Sequence, residues 1–464
     1  MPSFIFPPIS SHVTASNRDH QPQPQDYPLW AEVKEWLSHN SNWSHAEALL
    51  RGFNQPTAGA LPRERFLDFI QLKTLISLGY QHNFTTECMV STGETLCTIT
   101  RSNGAPTAVT LALSEDDRQA AQGLIVLHEW VCNSPHYEAT YRQIAAEQIQ
   151  ACWRNNGTEL HLPSLRLTSL PSTLPHKLTV LGVDNNYLTT LPTPLPQKLK
   201  ILDASRNRLT TLPNILPLEL TELSVSHNHL TTLPNTWPRS LHTLDIAHNQ
   251  FVSLPDSLPH KLTELNVSGN RLTSLPNTLP QSLKELATNS NNLTSLSDSL
   301  PRSLEELTAS SNYLTSLPKA LPKNLKTLNV IRNNLVNLPD SLPKSLKTLN
   351  ASHNDLTTLP NSLPKSLQTL DIDSNKLISL PDSLPNSLKT LNASRNYLTT
   401  LPSSLPKSLQ TLEIDSNKLI SLPDSFPNSL KTLNASRNYL TTLPKSFPKS
   451  LKTLDIDSNE SPRV

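Results

Sequence analysis

Cysteine and glycine are scarce in this chain, and net charge is nearly absent. Only Cys88, Cys97, Cys132 and Cys152 occur in 464 residues. A disulfide-stapled scaffold is thereby excluded, and these thiols are expected to be reduced and buried. Thirty-nine Lys and Arg balance 38 Asp and Glu, so no overall field favours nucleic acid or an anionic membrane, and charge acts only locally. No apolar run approaches the length of a membrane span. The N-terminal stretch Met1 to Pro8 lacks a basic flank, a continuous apolar core and a cleavage site, which argues against the usual secretory route and against a periplasmic or adhesin-like repeat protein. Nine glycines stand against 40 prolines, a balance that suggests disorder in a patternless chain.

The chain is not patternless. An asparagine recurs every 21 residues from Asn186 to Asn459, within a unit that reads L-x-x-L-x-(V/A/I)-x-x-N-x-L-x-x-L-P-x-x-(L/F)-P. Most prolines occupy the two fixed L-P positions and are structural. A fixed period in this range marks a solenoid whose units cannot bury their apolar faces alone. The fold class is therefore a leucine-rich-repeat solenoid, a parallel β ribbon of short 21-residue repeats with a Pro-rich convex side. Within each rung the leucines and the Val, Ala or Ile point inward, and the asparagine amide bonds loop backbone on neighbouring turns. Leu160, Leu162, Leu167, Leu170 and Pro171 extend the phase one unit earlier, with Leu165 in the asparagine's place, as expected of an atypical terminal rung. Near the other end the period doubles: residues 371–412 and 413–454 differ at only five positions, which points to duplication of a rung pair.

Ahead of the repeats, residues 1–28 are polar and Pro-rich and read as a flexible leader. Residues 29–135 read as a small α+β domain. Trp30, Val33, Trp36 and Leu37 lie at helical spacing, and Phe66, Phe69, Leu72, Leu75 and Ile76 predict a second helix. Three strands follow, over Glu87 to Val90, Leu96 to Thr100 and Ala108 to Leu113. Residues 136–158 predict a capping helix, with Ile144, Ile149, Cys152 and Trp153 as its apolar residues, ending at Asn156-Gly157. The repeats occupy 159–459 and a tail 460–464. With no C-terminal cap visible, the strand at Leu454 to Asp457 is expected to self-associate or fray.

On a strand, residues flanking the inward leucine form solvent-facing columns that repeat every 21 positions, and these are the candidate partner-binding surface. One column stacks Glu264, Glu285 and Glu306, with Glu305 beside the last. Like charges about 5 Å apart repel by roughly 1 kcal/mol even in water. Lys284 and Arg302 are the nearby cations expected to neutralise part of the stack. The same region holds the least regular rung, with Thr288 for the aliphatic and Ser297 for proline, and a local change of curvature there would favour a binding role. Further on, Asp371 and Asp373, Arg395, Glu413 and Asp415, then Arg437 alternate along the rungs. Paired carboxylates suit a hard cation or acid/base work, but bridging of each acid pair by the arginines on an open face is the favoured reading. His227 and His248 share a column, yet an exposed pair without Cys or carboxylate ligands reads as solvated rather than zinc-bound. No catalytic or metal site and no cofactor is assigned.

Trp30-Ala31-Glu32-Val33-Lys34-Glu35-Trp36-Leu37 resembles the translocation motif Trp-Glu-Lys-(Ile/Met)-x-x-Phe-Phe of bacterial leucine-rich-repeat effectors of the IpaH, SspH, SlrP and YopM group, with Ala31 and Glu32 in place of Glu-Lys. Arg65-Phe66 to Gly79-Tyr80, the Cys88 and Cys97 strands, Gln150 to Asn156 and the short double L-P repeat are similar to that group as well. The resemblance implies delivery by the bacterial type III secretion machinery into the host cytoplasm or nucleus, and binding of a host protein on the concave face. Ligase members of the group carry a helical domain with a Cys-x-Asp nucleophile. None of the four cysteines here lies in that motif, so a non-enzymatic binder like YopM is expected. The alternative is a ligase-family effector separated from its catalytic domain, acting as a substrate-recognition module.

Overall fold

The computed structural model describes residues 28–37, 43–54, 62–88 and 94–459. The flexible-leader reading, the Met89 and Val90 end of the first predicted strand and the tail 460–464 fall outside them. The chain divides into two compact units, residues 1–199 and 200–464.

In the first unit, helices α1 (Pro28–Trp36), α2 (Trp43–Asn54) and α3 (Pro62–Leu75) precede an antiparallel meander of β1 (Phe84–Cys88), β2 (Thr95–Thr100) and β3 (Pro106–Leu111). Three helices lie ahead of the strands, not two: Ala46, Leu49, Leu50 and Phe53 supply a buried stripe for α2. The first strand begins at Phe84, earlier than predicted, because Phe84 buries its ring while Phe84 to Cys88 pairs with Ile99 to Thr95. Trp36, Phe53, Phe69 and Phe84 form the aromatic centre, with Phe53 and Phe69 centroids 5.0 Å apart and Phe69 and Phe84 5.6 Å apart. Edge-to-face and offset contacts of this kind add to the burial that already dominates.

Helix α4 (Glu115–Cys132) was not legible as an element, since a mid-helix glycine interrupts its pattern. A capping box starts it: Ser114 Oγ accepts from the Asp117 N–H, and the Asp117 carboxylate accepts from the Ser114 N–H. Gly123 is required where α4 meets α5 (Ala139–Arg154), because a Cβ there would lie 2.3 Å from the Trp153 ring. Ile149, Cys152 and Trp153 are buried as expected, whereas Ile144 is exposed. The thiols differ too: Cys97 and Cys152 are free and buried, but Cys132 is free and exposed, because it closes the solvent side of α4's last turn.

A buried polar network joins these helices to the first rungs, β4 (Glu159–His161) and β5 (Val180–Gly182). Glu138 is fully buried, and its carboxylate accepts from Thr168 N at 2.7 Å, Thr168 Oγ1 at 2.8 Å and Arg142 Nη2 at 3.2 Å. Arg142 also donates to Trp130 O and Ser169 Oγ. Burial of both charges is tolerated because each is paired and hydrogen-bonded. Asp116 on α4 meets Lys177 at 2.6 Å and His176 at 3.0 Å. These bonds group the first two rungs with the helices.

The second unit holds thirteen three-residue strands, β6 (Ile201–Asp203) to β18 (Thr453–Asp455), successive strands pairing in parallel, in register, at 21-residue steps. Each central leucine is buried, the last excepted: Leu454 is 40% exposed. Each ladder asparagine closes a loop. Asn312 Nδ2 reaches the carbonyls of Thr288, Ala309 and Ser310, while its Oδ1 accepts from Leu293 N at 3.0 Å. Just before each asparagine the backbone turns left-handed, with φ between 49° and 57° at the non-glycine residues of this column, mostly Arg, His or Ser. A second polar ladder runs through Ser345, Ser366, Ser387 and Ser429: each Oγ lies within 2.6–2.7 Å of two carbonyls of the preceding rung and donates its one proton to one of them at a time. Among the described residues no helix is long and apolar enough to cross a membrane.

Candidate functional site

The strand pleat sends the central residue of each β segment into the core and its two neighbours outward. On β9 (Glu264–Asn266), β10 (Glu285–Ala287) and β11 (Glu306–Thr308) the leading residues are Glu264, Glu285 and Glu306, in direct Cα register. The trailing residues are Asn266, Ala287 and Thr308, so a methyl group lies between two larger side chains. The result is an open concavity of about 300 Å³, lined by the three glutamates, Asp245 and Ala287 among others. Thr243 Oγ1 donates to Glu264 Oε2 at 3.4 Å. Partial burial, then the neighbouring Glu264, Glu306 and Glu305, push the Glu285 carboxyl above its ordinary range.

The main neutralising cation is Lys326; Lys284 contributes less, and Arg302 forms no ion pair with the stack among the described residues. The Lys326 Nζ pairs with Glu305 at 2.5 Å, and this bond is the main reason that the Glu305 carboxyl is held low, with Lys284 a lesser influence. Lys326 stands one rung beyond Glu305 in the same column, so the 21-residue spacing carried the signal. The irregular rung keeps its place in the ladder: β10 pairs with both neighbours at all three positions. Thr288 is buried, and its Oγ1 donates to Thr308 O at 3.2 Å. Ser297 Oγ meets Ser299 Oγ at 3.0 Å.

In the later rungs the arginines do not bridge acids on both sides. Arg395 reaches back to Asp373 at 3.3 Å, and His353 approaches the same carboxylate at 3.6 Å. Arg437 forms no ion pair among the described residues; Asp415 accepts from Asn434 Nδ2 at 3.4 Å and Ser416 Oγ at 3.1 Å. Asp371 accepts from Asn350 Nδ2 at 3.1 Å. Burial is the chief influence raising both Asp371 and Glu413. No group of three His, Cys, Asp or Glu that would hold a metal ion occurs among the described residues.

His227 and His248 stack, with centroids 4.2 Å apart and planes 12° from parallel. Burial, then the neighbouring His248 and Arg206, push His227 down. The next residue in the column is Gly269, where a Cβ would fall 2.4 Å from His248 Nδ1. In the first unit Trp30, Val33, Trp36 and Leu37 all face the core, while Ala31, Lys34 and Glu35 face outward.

Residues 261–283, 345–365, 366–386 and 387–407 match the Leucine Rich Repeat family. The in-register ladder and these matches define a leucine-rich-repeat protein. The solved structure of YopM, a leucine-rich effector protein from Yersinia pestis, is 34% identical with a TM-score of 0.63, covering 73% of this chain and 99% of that one. The chain therefore belongs to the YopM family of bacterial leucine-rich effector proteins. The leucine-rich-repeat protein LIC12759 of Leptospira interrogans is 31% identical, with a TM-score of 0.55 over 60% of this chain and 77% of that one. The E3 ubiquitin-protein ligase SlrP of Salmonella typhimurium is 40% identical over 62 residues, 13% of this chain and 8% of SlrP. The chain thus spans less than a tenth of the curated relatives it matches.

Proposed function

We propose that this protein is a secreted virulence effector that enters the host cytoplasm through the type III secretion machinery and binds a host protein on the outward columns of its repeats, redirecting host signalling without catalysis of its own. The observation that carries this reading is the concavity over Ala287, framed by Glu264, Glu285 and Glu306, where like charges are held in register on a rigid ladder. Such an arrangement favours a basic side chain whose stem covers the small floor. The acidic rungs with Asp371, Asp373, Glu413 and Asp415 extend the same outward face, with Arg395 between them and Arg437 on the rung beyond.

The thiols support a binding role. Burial pushes Cys97 up to about 12 and Cys152 up to about 11, and partial desolvation of the otherwise exposed Cys132, with Glu129 beside it, raises that thiol as well, so none of these three is a ready thiolate nucleophile. A second reading, in which the chain is the substrate-recognition part of a ligase-type effector, is favoured by the 62-residue likeness to SlrP.

The test is proximity labelling in host cells that express the full chain or its E264Q/E285Q/E306Q variant. Proteins enriched by the first and lost with the second are the expected partners. Identical labelling by both would overturn the assignment of this column, and a ubiquitin thioester on any cysteine would overturn the non-enzymatic reading.

A further inference from the structure

The repeats carry a second charged surface outside the strand columns. Seven segments of one form, P-(K/N)-(S/N)-L-(K/Q)-T, lead into the strands at 322–327, 343–348, 364–369, 385–390, 406–411, 427–432 and 448–453. Together they hold ten lysines and no aspartate or glutamate. All ten lysines are exposed. Apart from Lys326, none of them forms an ion pair with a carboxylate among the described residues. Lys389 and Lys431 donate instead to the neutral Gln368 at 3.2 Å and Gln410 at 2.9 Å.

The backbone under these side chains is fixed. Lys347, Gln368, Lys389, Gln410, Lys431 and Lys452 each donate a backbone N–H, at 2.8 Å, to the same position of the preceding rung. The carbonyls of Lys344, Lys365 and Lys407 lie within reach of the serine ladder. From Lys365 the lysines alternate between two columns three residues apart, through Lys389 and Lys407 to Lys431, one on each rung. A zigzag of single positive charges thus climbs at the strand pitch of about 4.8 Å. The neutral partners Gln368, Asn386, Gln410 and Asn428 keep like charges from stacking.

We propose that this edge binds an extended, acidic polypeptide segment of a partner protein. An extended chain places successive same-face carboxylates about 6.6 Å apart, a spacing that flexible lysine stems at this pitch can follow. Lysine offers a mobile point charge rather than a planar fork, which suits recognition of charge density over recognition of one group. The segments contain no aromatic side chain on which bases would stack and no exposed large apolar side chain that would enter a lipid surface.

The full chain should bind a fluorescein-labelled oligoglutamate peptide, by anisotropy, with an affinity that falls as salt is raised. Substituting Lys365, Lys389, Lys407 and Lys431 together with glutamine should weaken binding about tenfold, whereas the matching four arginine substitutions should retain it. E264Q/E285Q/E306Q should leave peptide binding unchanged. Thermal melts of each variant show that the ladder remains folded. The proposal is overturned if the peptide does not bind, if the glutamine variant binds as tightly as the parent, or if a single-stranded oligonucleotide or phosphatidylserine vesicles bind more tightly than the peptide at equal charge.

Discussion

Replacing Asn312 by alanine removes, in one step, the four side-chain bonds with which this residue ties its loop to the backbone. The amide nitrogen serves three carbonyls, of Thr288, Ala309 and Ser310, and the oxygen serves the buried Leu293 N–H. Three of the four bonds are buried and the one to Ser310 part-buried, so leaving the N–H and at least one carbonyl unpaired costs about 2–5 kcal/mol. In a repeat array that cost falls on one rung and its neighbours, and a single unfolding midpoint would blur it. Native-state hydrogen exchange resolves it: amides from Thr288 to Leu314 should exchange about thirtyfold faster or more, while distant rungs stay protected. Asn312→Asp keeps the shape but sets a carboxylate against three carbonyl oxygens. Its folded pKa is therefore raised, so its penalty is full above that value and relieved as pH falls toward the unfolded carboxyl value of about 3.9. Unchanged protection around Leu293, or equal loss along the whole array, would refute the view that each asparagine holds its own rung.

The E264Q/E285Q/E306Q protein should be no less stable than the parent at neutral pH. Because the Glu285 carboxyl is raised when folded, the difference in melting temperature between the two should shrink as pH falls toward the ordinary 4.5 and stay small below it; a gap that widens in acid would contradict the placement of these charges. Gly123→Ala should destabilise the first unit by about 1–3 kcal/mol, despite the helix preference of alanine, because the added methyl meets Trp153; tryptophan fluorescence during denaturation reports it. Glu138→Ala leaves Arg142 buried without its anion and should cost about 3–5 kcal/mol in the same assay. Deletion of residues 1–37 should abolish delivery of a fused reporter into host cells, and undiminished delivery would argue against the secretion route.

The repeats were legible because a period repeated fourteen times averages away the ambiguity of any one rung. Position in the period fixed which leucines are buried, which glutamates share a column and what the asparagines bond. What escaped were features whose residues have two common roles. Serine at the P-x-S-L position reads as loop filler, yet Ser366 and its equivalents bond the rung before. Arg and Ser, which fill most of the column just before the asparagines, are not residues that favour a left-handed turn, so Arg206, Ser311 and Arg395 gave no sign of their positive φ. In the first unit each segment occurs once. There the glycine in α4 hid a helix that only its contact with Trp153 explains, and no pattern in the sequence marks Glu138 and Arg142 as a buried pair.

The near-identity of residues 371–412 and 413–454 gives the array a parity. Each copy contributes one acid-bearing rung and one arginine-bearing rung; the first places one lysine in each of two columns, Lys407 and Lys389, and the second repeats them as Lys449 and Lys431 and adds Lys452. A further copy of residues 371–412 inserted after Leu412 would extend both patterns in phase, because the edge it presents matches the edge it meets. Removing the single rung 392–412 would preserve every backbone bond of the ladder and still ruin its surface. Asp371 and Asp373 would then lie directly beside Glu413 and Asp415, with no Arg395 between them, and four carboxylates would crowd within about one strand spacing of 4.8 Å. By this reasoning the array lengthens or shortens without penalty only in steps of two rungs, a constraint written in its charges and invisible to its leucines.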